Sequence, residues 1–354
     1  MTFAIASFSA STRRKFASIL LAVIIFAVLA GLTTLAVGRP VIFGITNAIL
    51  VGFAIGLFEE FYVQTLGGRW IRNMHPLGAT IVYTTVVVIF YLVALHLSHL
   101  LLGRLDDLPI AYERLPLAIP LVVIFSFVGV AFIRIVHFIG IENLFHLVVG
   151  TYHRPVLETK VLVFVDINNS TALAGQLGPL KTKSLIGKFL FDISKPIADH
   201  GGEIYLYKGD GLIALWNWDE AKRRNTILSA IDAMFATVTR ERTEYQAEFG
   251  VVPTFRVGVH GGPVVVSEQG DSKRSIGIYG DTINIAARME EAAKIRGVKC
   301  VISADVASSL GDDAKRLLPL GEEKVQGIPI PIHIYAYEPE DHGTRNRAAD
   351  RFVA

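Results

Sequence analysis

Val161-Leu162-Val163-Phe164-Val165-Asp166 is a run of β-branched and apolar residues of strand length, closed by an acid. Such a run fits a strand buried on both faces. Downstream, helical periodicity runs from about Ser170 to His200 and is broken at Pro179. Gly201-Gly202 marks a turn. Glu203–Tyr207 and Gly211–Trp216 then read as two strands around Lys208-Gly209-Asp210, a hairpin with an acid at its tip. A long helix is predicted over about Asp219–Phe249. Thr254–His260 and Val264–Ser267 read as separate strands around Gly261-Gly262-Pro263, and a further strand ends at Tyr279. A helix follows over about Thr282–Arg296, and strands close the region. This order predicts an α+β domain, a sheet with its helices on one face.

Upstream of Val161 the composition changes. The hydrophobic fraction of the chain, 52%, is too high for an ordinary soluble protein. Four apolar stretches account for it, at about Phe16–Val37, Val41–Phe58, Leu77–Leu102 and Leu117–Ile139. Each is near the ~20 residues a spanning helix needs, so a transmembrane bundle of four helices is predicted. Arg13, Arg14 and Lys15 precede the first stretch, which is too long for a signal-peptide core and reads as a retained anchor. Arg69, Arg72 and His75 lie between the second and third, and Arg134, His153, Arg154 and Lys160 accompany and follow the fourth. The other two loops are poorer in net positive charge. The positive-inside rule therefore puts the N-terminus and everything after the fourth span in the cytoplasm. Glu59, Glu60, His96 and His99 read most simply as interfacial residues, a ligand or ion site being the alternative. Gly44, Gly52 and Gly56 suit close helix packing. Residues 141–160 form a linker, either a rigid extension of the last helix or a tether.

The net charge of +2 averages two unlike halves, and no basic run points to nucleic acid. One cysteine, Cys300, excludes an intrachain disulfide and fits a buried strand start.

Two acids need a partner. Asp166 ends a buried strand and Asp210 sits in a tight glycine-bounded turn. Carboxylates near core strands are costly unless paired, and two side by side repel unless a cation lies between them. Mg²⁺, which binds through one or two carboxylates plus substrate phosphates, is the natural candidate. The plainer reading is a helix cap and a turn residue. In Gly280-Asp281-Thr282-Ile283-Asn284-Ile285-Ala286-Ala287-Arg288, Asn284 and Arg288 share one helix face. An arginine there can stabilise charge on a phosphate, and Arg256 is a further phosphate candidate.

From about Val156 to Glu338 the chain resembles a class III adenylate/guanylate cyclase domain. The resemblance rests on Phe164–Thr171, Lys208-Gly209-Asp210-Gly211, Arg256–Gly262 and Tyr279–Arg288. It implies a ferredoxin-like βαββαβ core and a head-to-tail homodimer with catalytic sites at the subunit interface. It also implies two Mg²⁺ (or Mn²⁺) ions per active site, held by Asp166, Asp210 and the carbonyl of Ile167. Asn284 would orient the ribose, Arg288 would steady the reacting phosphate, and Arg256 would contact phosphate or support the metal site. The implied activity is adenylate cyclase, ATP to 3′,5′-cyclic AMP and pyrophosphate, in a multi-pass protein of the cell (inner) membrane. The chain then divides into a transmembrane part, 1–140, a linker, 141–160, a cyclase domain, 161–339, and a disordered tail, 340–354.

Some positions depart from the family pattern. Base-contacting Lys and Asp are replaced by Leu206 and Gly277, leaving the base to be read by backbone or by Ser275. Gln326 stands where a phosphate-binding Lys is expected, with Lys324 two residues away. Alternatives are therefore a guanylate cyclase making cyclic GMP from GTP, or an inactive cyclase-like nucleotide-binding receptor module. Gly201-Gly202-Glu203-Ile204-Tyr205 superficially matches the turn of diguanylate cyclases, but Ile204 replaces its second acid.

Overall fold

The structure, a computed structural model, describes residues 10–36, 40–63, 66–72, 74–140, 145–146, 149–219, 221, 226–271, 274–324 and 331–340. It divides into two compact units, one over Thr12–Val149 and one carried by Gly150–Ala354.

The first unit is helical. Its long helices are α1 (Ala10–Ala36), α2 (Val41–Phe58), α3 (Pro76–Leu101) and α4 (Leu115–Ile139). Two stretches, Val41–Val63 and Leu77–Leu101, are long and apolar enough to cross a membrane. A third qualifies if Leu105–Glu113 and Leu115–Gly129, bent by 78°, form one span. In α1 the described apolar part is shorter, Val23–Leu35. The described residues thus carry two or three of the four expected spans. Small residues do sit at helix contacts: a Cβ on Gly56 would press into Ile19, and one on Gly44 into Thr34. Glu59 and His99 are buried inside this unit instead of facing water at its rim. The Tyr83 hydroxyl donates to Glu59, and the ring of His99 packs on Phe43. Of the linker read as either a rigid extension or a tether, residues 141–144 and 147–148 lie outside the described residues.

The second unit is built on β1 (Val156–Ile167), which starts inside the stretch read as linker. After it come α5 (Ser170–Leu177) and α6 (Pro179–Asp199), divided at Gly178-Pro179 as expected. Then follow β2 (Glu203–Lys208), β3 (Gly211–Asn217), α7 (Thr226–Arg240), α8 (Arg242–Phe249), β4 (Phe255–Gln269), β5 (Ser275–Tyr279) and α9 (Asp281–Arg296). The strands β6 (Cys300–Ser303), β7 (Leu317–Glu323) and β8 (Ile332–Tyr337) complete the sheet. Its order is β2-β3-β1-β4-β6-β8-β7, with β5 on the far end of β4. The first four strands, with α6 and α7 between them, form the βαββαβ core.

Three expectations change. The segments around Gly261-Gly262-Pro263 form one strand, not two, because β1 pairs continuously from Val156↔Val266 to Ile167↔Phe255. The predicted long helix is interrupted at Glu241. Helices also cover both faces. Alternate residues Val161, Val163 and Val165 pack with Phe189, Ile193, Ile231 and Met234 of α6 and α7. On the other face α9 takes Gly258 as its contact point, where a Cβ would run into the backbone of Met289 and Glu290. Period-2 alternation in β1 and β4 serves two layers at once. Cys300 is fully buried, as expected.

Candidate active site

Asp166 and Arg256 are partners in the β1–β4 ladder, on the face that α9 covers. The β2–β3 hairpin turns in two residues, Gly209 and Asp210, between the paired Lys208 and Gly211. Gly209 has φ +63°, a conformation that glycine adopts without penalty and that a type II′ hairpin requires at this position. Gly211 brings the hairpin close, for a Cβ there would lie 3.0 Å from Asp166 Oδ1. Asp210 is thereby delivered beside Asp166. A cleft of about 480 Å³ opens there, lined by Asp166, Ile167, Asn169, Ser170, Arg256 and Lys294 among others. Asn169, at φ +55°, turns the chain from β1 into α5. Asparagine tolerates that left-handed conformation better than most residues.

The electrostatics of Asp166 are unfavourable to its charge. Burial, then the charges of Asp210 and Glu290, push its pKa up to about 6, against the opposing pull of Arg256 and Lys294. Arg256 is largely committed within the protein. It donates from Nε to Glu290 at 3.0 Å, bonds the side-chain oxygen of Asn168, and stands 3.8 Å from Asp166. This arrangement makes it a support of the Asp166 site more than a free phosphate ligand.

The donor set suits a hard cation. Among the described residues no group of three or more His, Cys, Asp or Glu side chains could hold a metal. Two neighbouring carboxylates nevertheless match the habit of Mg²⁺, which leaves its other positions to phosphate and water. A cation between Asp166 and Asp210 would also remove the repulsion that raises Asp166.

Asn284 and Arg288 share the exposed face of α9, opposite the buried Ile285, Ala286 and Met289. The start of this helix is fixed by Thr282, whose hydroxyl donates to the Pro263 carbonyl at 2.6 Å. Arg288 is about half exposed and pairs with Glu291. Neither Asn284 nor Arg288 lines the cleft of its own chain. Leu206 is exposed on β2, and Gly277 lies buried in β5. Lys324 is exposed just after β7 and apart from the cleft lining, while Gln326 lies outside the described residues. Sequence reasoning missed Glu290 and Lys294. Their i, i+4 spacing was visible, but nothing in it showed that this turn of α9 faces Asp166.

The profile of the adenylate and guanylate cyclase catalytic domain matches residues 155–338, just over half of the chain. Adenylate cyclase 2 of Rhizobium meliloti (strain 1021) is 29% identical over 234 residues, 63% of this chain and 64% of that protein. An adenylate cyclase of Anabaena cylindrica is 27% identical over 59% of this chain and 41% of its own length. The chain therefore spans less than two thirds of these relatives. A solved bacterial light-regulated adenylyl cyclase shares the fold, with TM-score 0.54 and 17% identity over 68% of this chain and 71% of that one. Matched across the two acidic turns and the helix that carries Asn284 and Arg288, the chain belongs to the adenylate and guanylate cyclase catalytic domain family.

Proposed function

We propose that the chain is a membrane-anchored adenylate cyclase that converts ATP to 3′,5′-cyclic AMP and pyrophosphate as a homodimer. The observation that carries this reading is the hairpin turn that brings Asp210 close enough for its charge to act on Asp166, whose own side chain lines an open cleft. Divalent cations held by Asp166, Asp210 and the Ile167 carbonyl would offset phosphate charge and make the ribose 3′-hydroxyl more acidic. Arg256 keeps Asp166 and Glu290 in place.

In the reaction the 3′-oxygen forms a bond to the α-phosphorus. The bond from that phosphorus to the bridging oxygen breaks, pyrophosphate departs, and the hydroxyl proton passes to solvent. Asn284 positions the ribose by hydrogen bonding. Arg288 donates to the α-phosphate oxygens, where negative charge grows in the transition state. Its present partner Glu291 is exposed, so this pair is readily exchanged. Asn284 and Arg288 line no part of their own chain's cleft, and in this reading they act on the nucleotide held by a second copy, with two-fold symmetry giving two equal sites. Lys324 is the candidate for the outer phosphates, and the base lies against the Leu206 and Gly277 region. Basic residues flanking the apolar helices favour a cytoplasmic catalytic unit.

The test is to incubate purified full-length protein with Mg²⁺ or Mn²⁺ and either ATP or GTP and to identify the product by chromatography. Cyclic AMP from ATP is expected. Cyclic GMP as the main product would transfer the reading to a guanylate cyclase, and no cyclic nucleotide would refute it.

A further inference from the structure

Gly277 is buried although no side chain of its own covers it. The cover is Gln269. A Cβ on Gly277 would fall 2.6 Å from Cδ and Oε1 of Gln269 and 3.0 Å from its Nε2. In the β4–β5 ladder Gly277 pairs with Ser267 and Gln269 pairs with Ser275, so the glutamine reaches diagonally along its own face of the hairpin. Its amide therefore fills the space that a side chain at residue 277 would take.

The amide is also oriented. The Tyr279 hydroxyl donates to Oε1, and Nε2 donates to Ser275 Oγ across a long 3.5 Å. With these contacts made, the oxygen retains a lone pair and the nitrogen retains a hydrogen. Gln269 is exposed, so both are open to a ligand. Tyr279, 51% exposed on the same face, offers apolar surface for a flat ring. Strands β2 and β5 are tied where the Ile278 amide donates to the Tyr205 hydroxyl at 3.1 Å. Three residues after Gly277, Gly280 opens the helix that carries Asn284 and Arg288.

We propose that Gln269 reads the purine edge of the nucleotide, replacing in space the side chain that Gly277 lacks. The proposal rests on the cyclase reading and assigns its specificity. The Gln269 oxygen accepts from the adenine amino group and its nitrogen donates to the adjacent ring nitrogen, the pairing by which glutamine recognises adenine elsewhere. The backbone and Ser275 alone are then unnecessary as readers, and Ser275 holds the reader.

The experiment compares full-length wild type, Gln269→Ala, Gln269→Glu, Gly277→Ala and Asp210→Ala. It measures kcat and KM with ATP and GTP, and the Kd of 3′-deoxy-ATP, which cannot cyclise. Gln269→Ala is expected to raise the ATP KM and the analogue Kd by about 10- to 100-fold, with kcat within about threefold. The ratio of ATP to GTP turnover should fall with them. Gln269→Glu loses the donor and should behave similarly. Gly277→Ala displaces a flexible side-chain end, not backbone, so it should fold and reproduce the KM rise. If Gln269→Ala keeps its Kd and its ATP:GTP ratio while Asp210→Ala is inactive, this inference is overturned and the cyclase reading stands. A folded wild type that binds neither nucleotide overturns both.

Discussion

Arg256 shows how one residue can hold a site without being free to act in it. It bonds Glu290 and Asn168 and lies 3.8 Å from Asp166, with its side chain only 12% exposed. Removing it leaves Glu290 and Asp166 facing each other across a half-buried cleft. Arg256→Ala is therefore expected to cost about 3 kcal/mol or more, measured by urea unfolding. Arg256→Lys should recover part of that loss, since it restores the charge but not the planar fork. His260 makes a separate prediction. Burial lowers its pKa to about 4, against a smaller opposing effect of Asp305, and its Nδ1 lies 2.8 Å from Ser303 Oγ. Above pH 6.5 the ring is neutral folded or unfolded. Below that, the unfolded chain takes up a proton that the folded chain refuses. Stability should therefore fall as pH drops from about 6.5 to 4, by up to about 1.4 kcal/mol per pH unit from this group. His260→Gln should flatten the Tm-against-pH curve in that window, and an unchanged slope would contradict the assignment.

The helix α9 joins both parts of the proposed chemistry. Its first half presents Asn284 and Arg288 outward, and its second half brings Glu290 and Lys294 to Asp166. Its distance from the sheet is set by Gly258, where an added Cβ would meet helix backbone. Gly258→Ala is expected to destabilise the catalytic unit by about 1–3 kcal/mol. It should also lower turnover more than nucleotide binding, because the helix shifts as a body. At this scale much was legible. The hairpin around Lys208-Gly209-Asp210 and the helix after Gly280 could be placed because their glycines mark turns that few other residues can make. The continuity of β4 was not legible, since Gly261-Gly262-Pro263 is a turn signal locally and only the pairing offered by β1 overrides it. Nor was the reader of the base. Leu206 and Gly277 announced a vacancy, but filling it from Gln269 depends on a diagonal between strands that spacing along one strand does not reveal.

Across the whole molecule the two units differ in how fully their sequences declare them. Four apolar stretches were evident, and the described residues carry two helices long and apolar enough to span, or three if the pair bent by 78° is one span. Topology can be tested directly because Cys300 is buried and should not react. With the N-terminus and the catalytic unit inside, Asp106→Cys should label from outside intact cells and Lys183→Cys only after permeabilisation. Labelling of both from the same side would overturn the orientation. The central claim concerns sharing: acids from one chain and the exposed pair on α9 from another. Its most direct test is to co-express Asp210→Ala and Arg288→Ala chains, each inactive alone, and to measure cyclic AMP formation by the whole purified dimer population, without separating mixed from unmixed dimers. Random pairing makes about half the dimers mixed, each with one complete site, so recovery to roughly a quarter of wild-type activity is predicted. Confirmed dimers with no recovered activity would contradict the account.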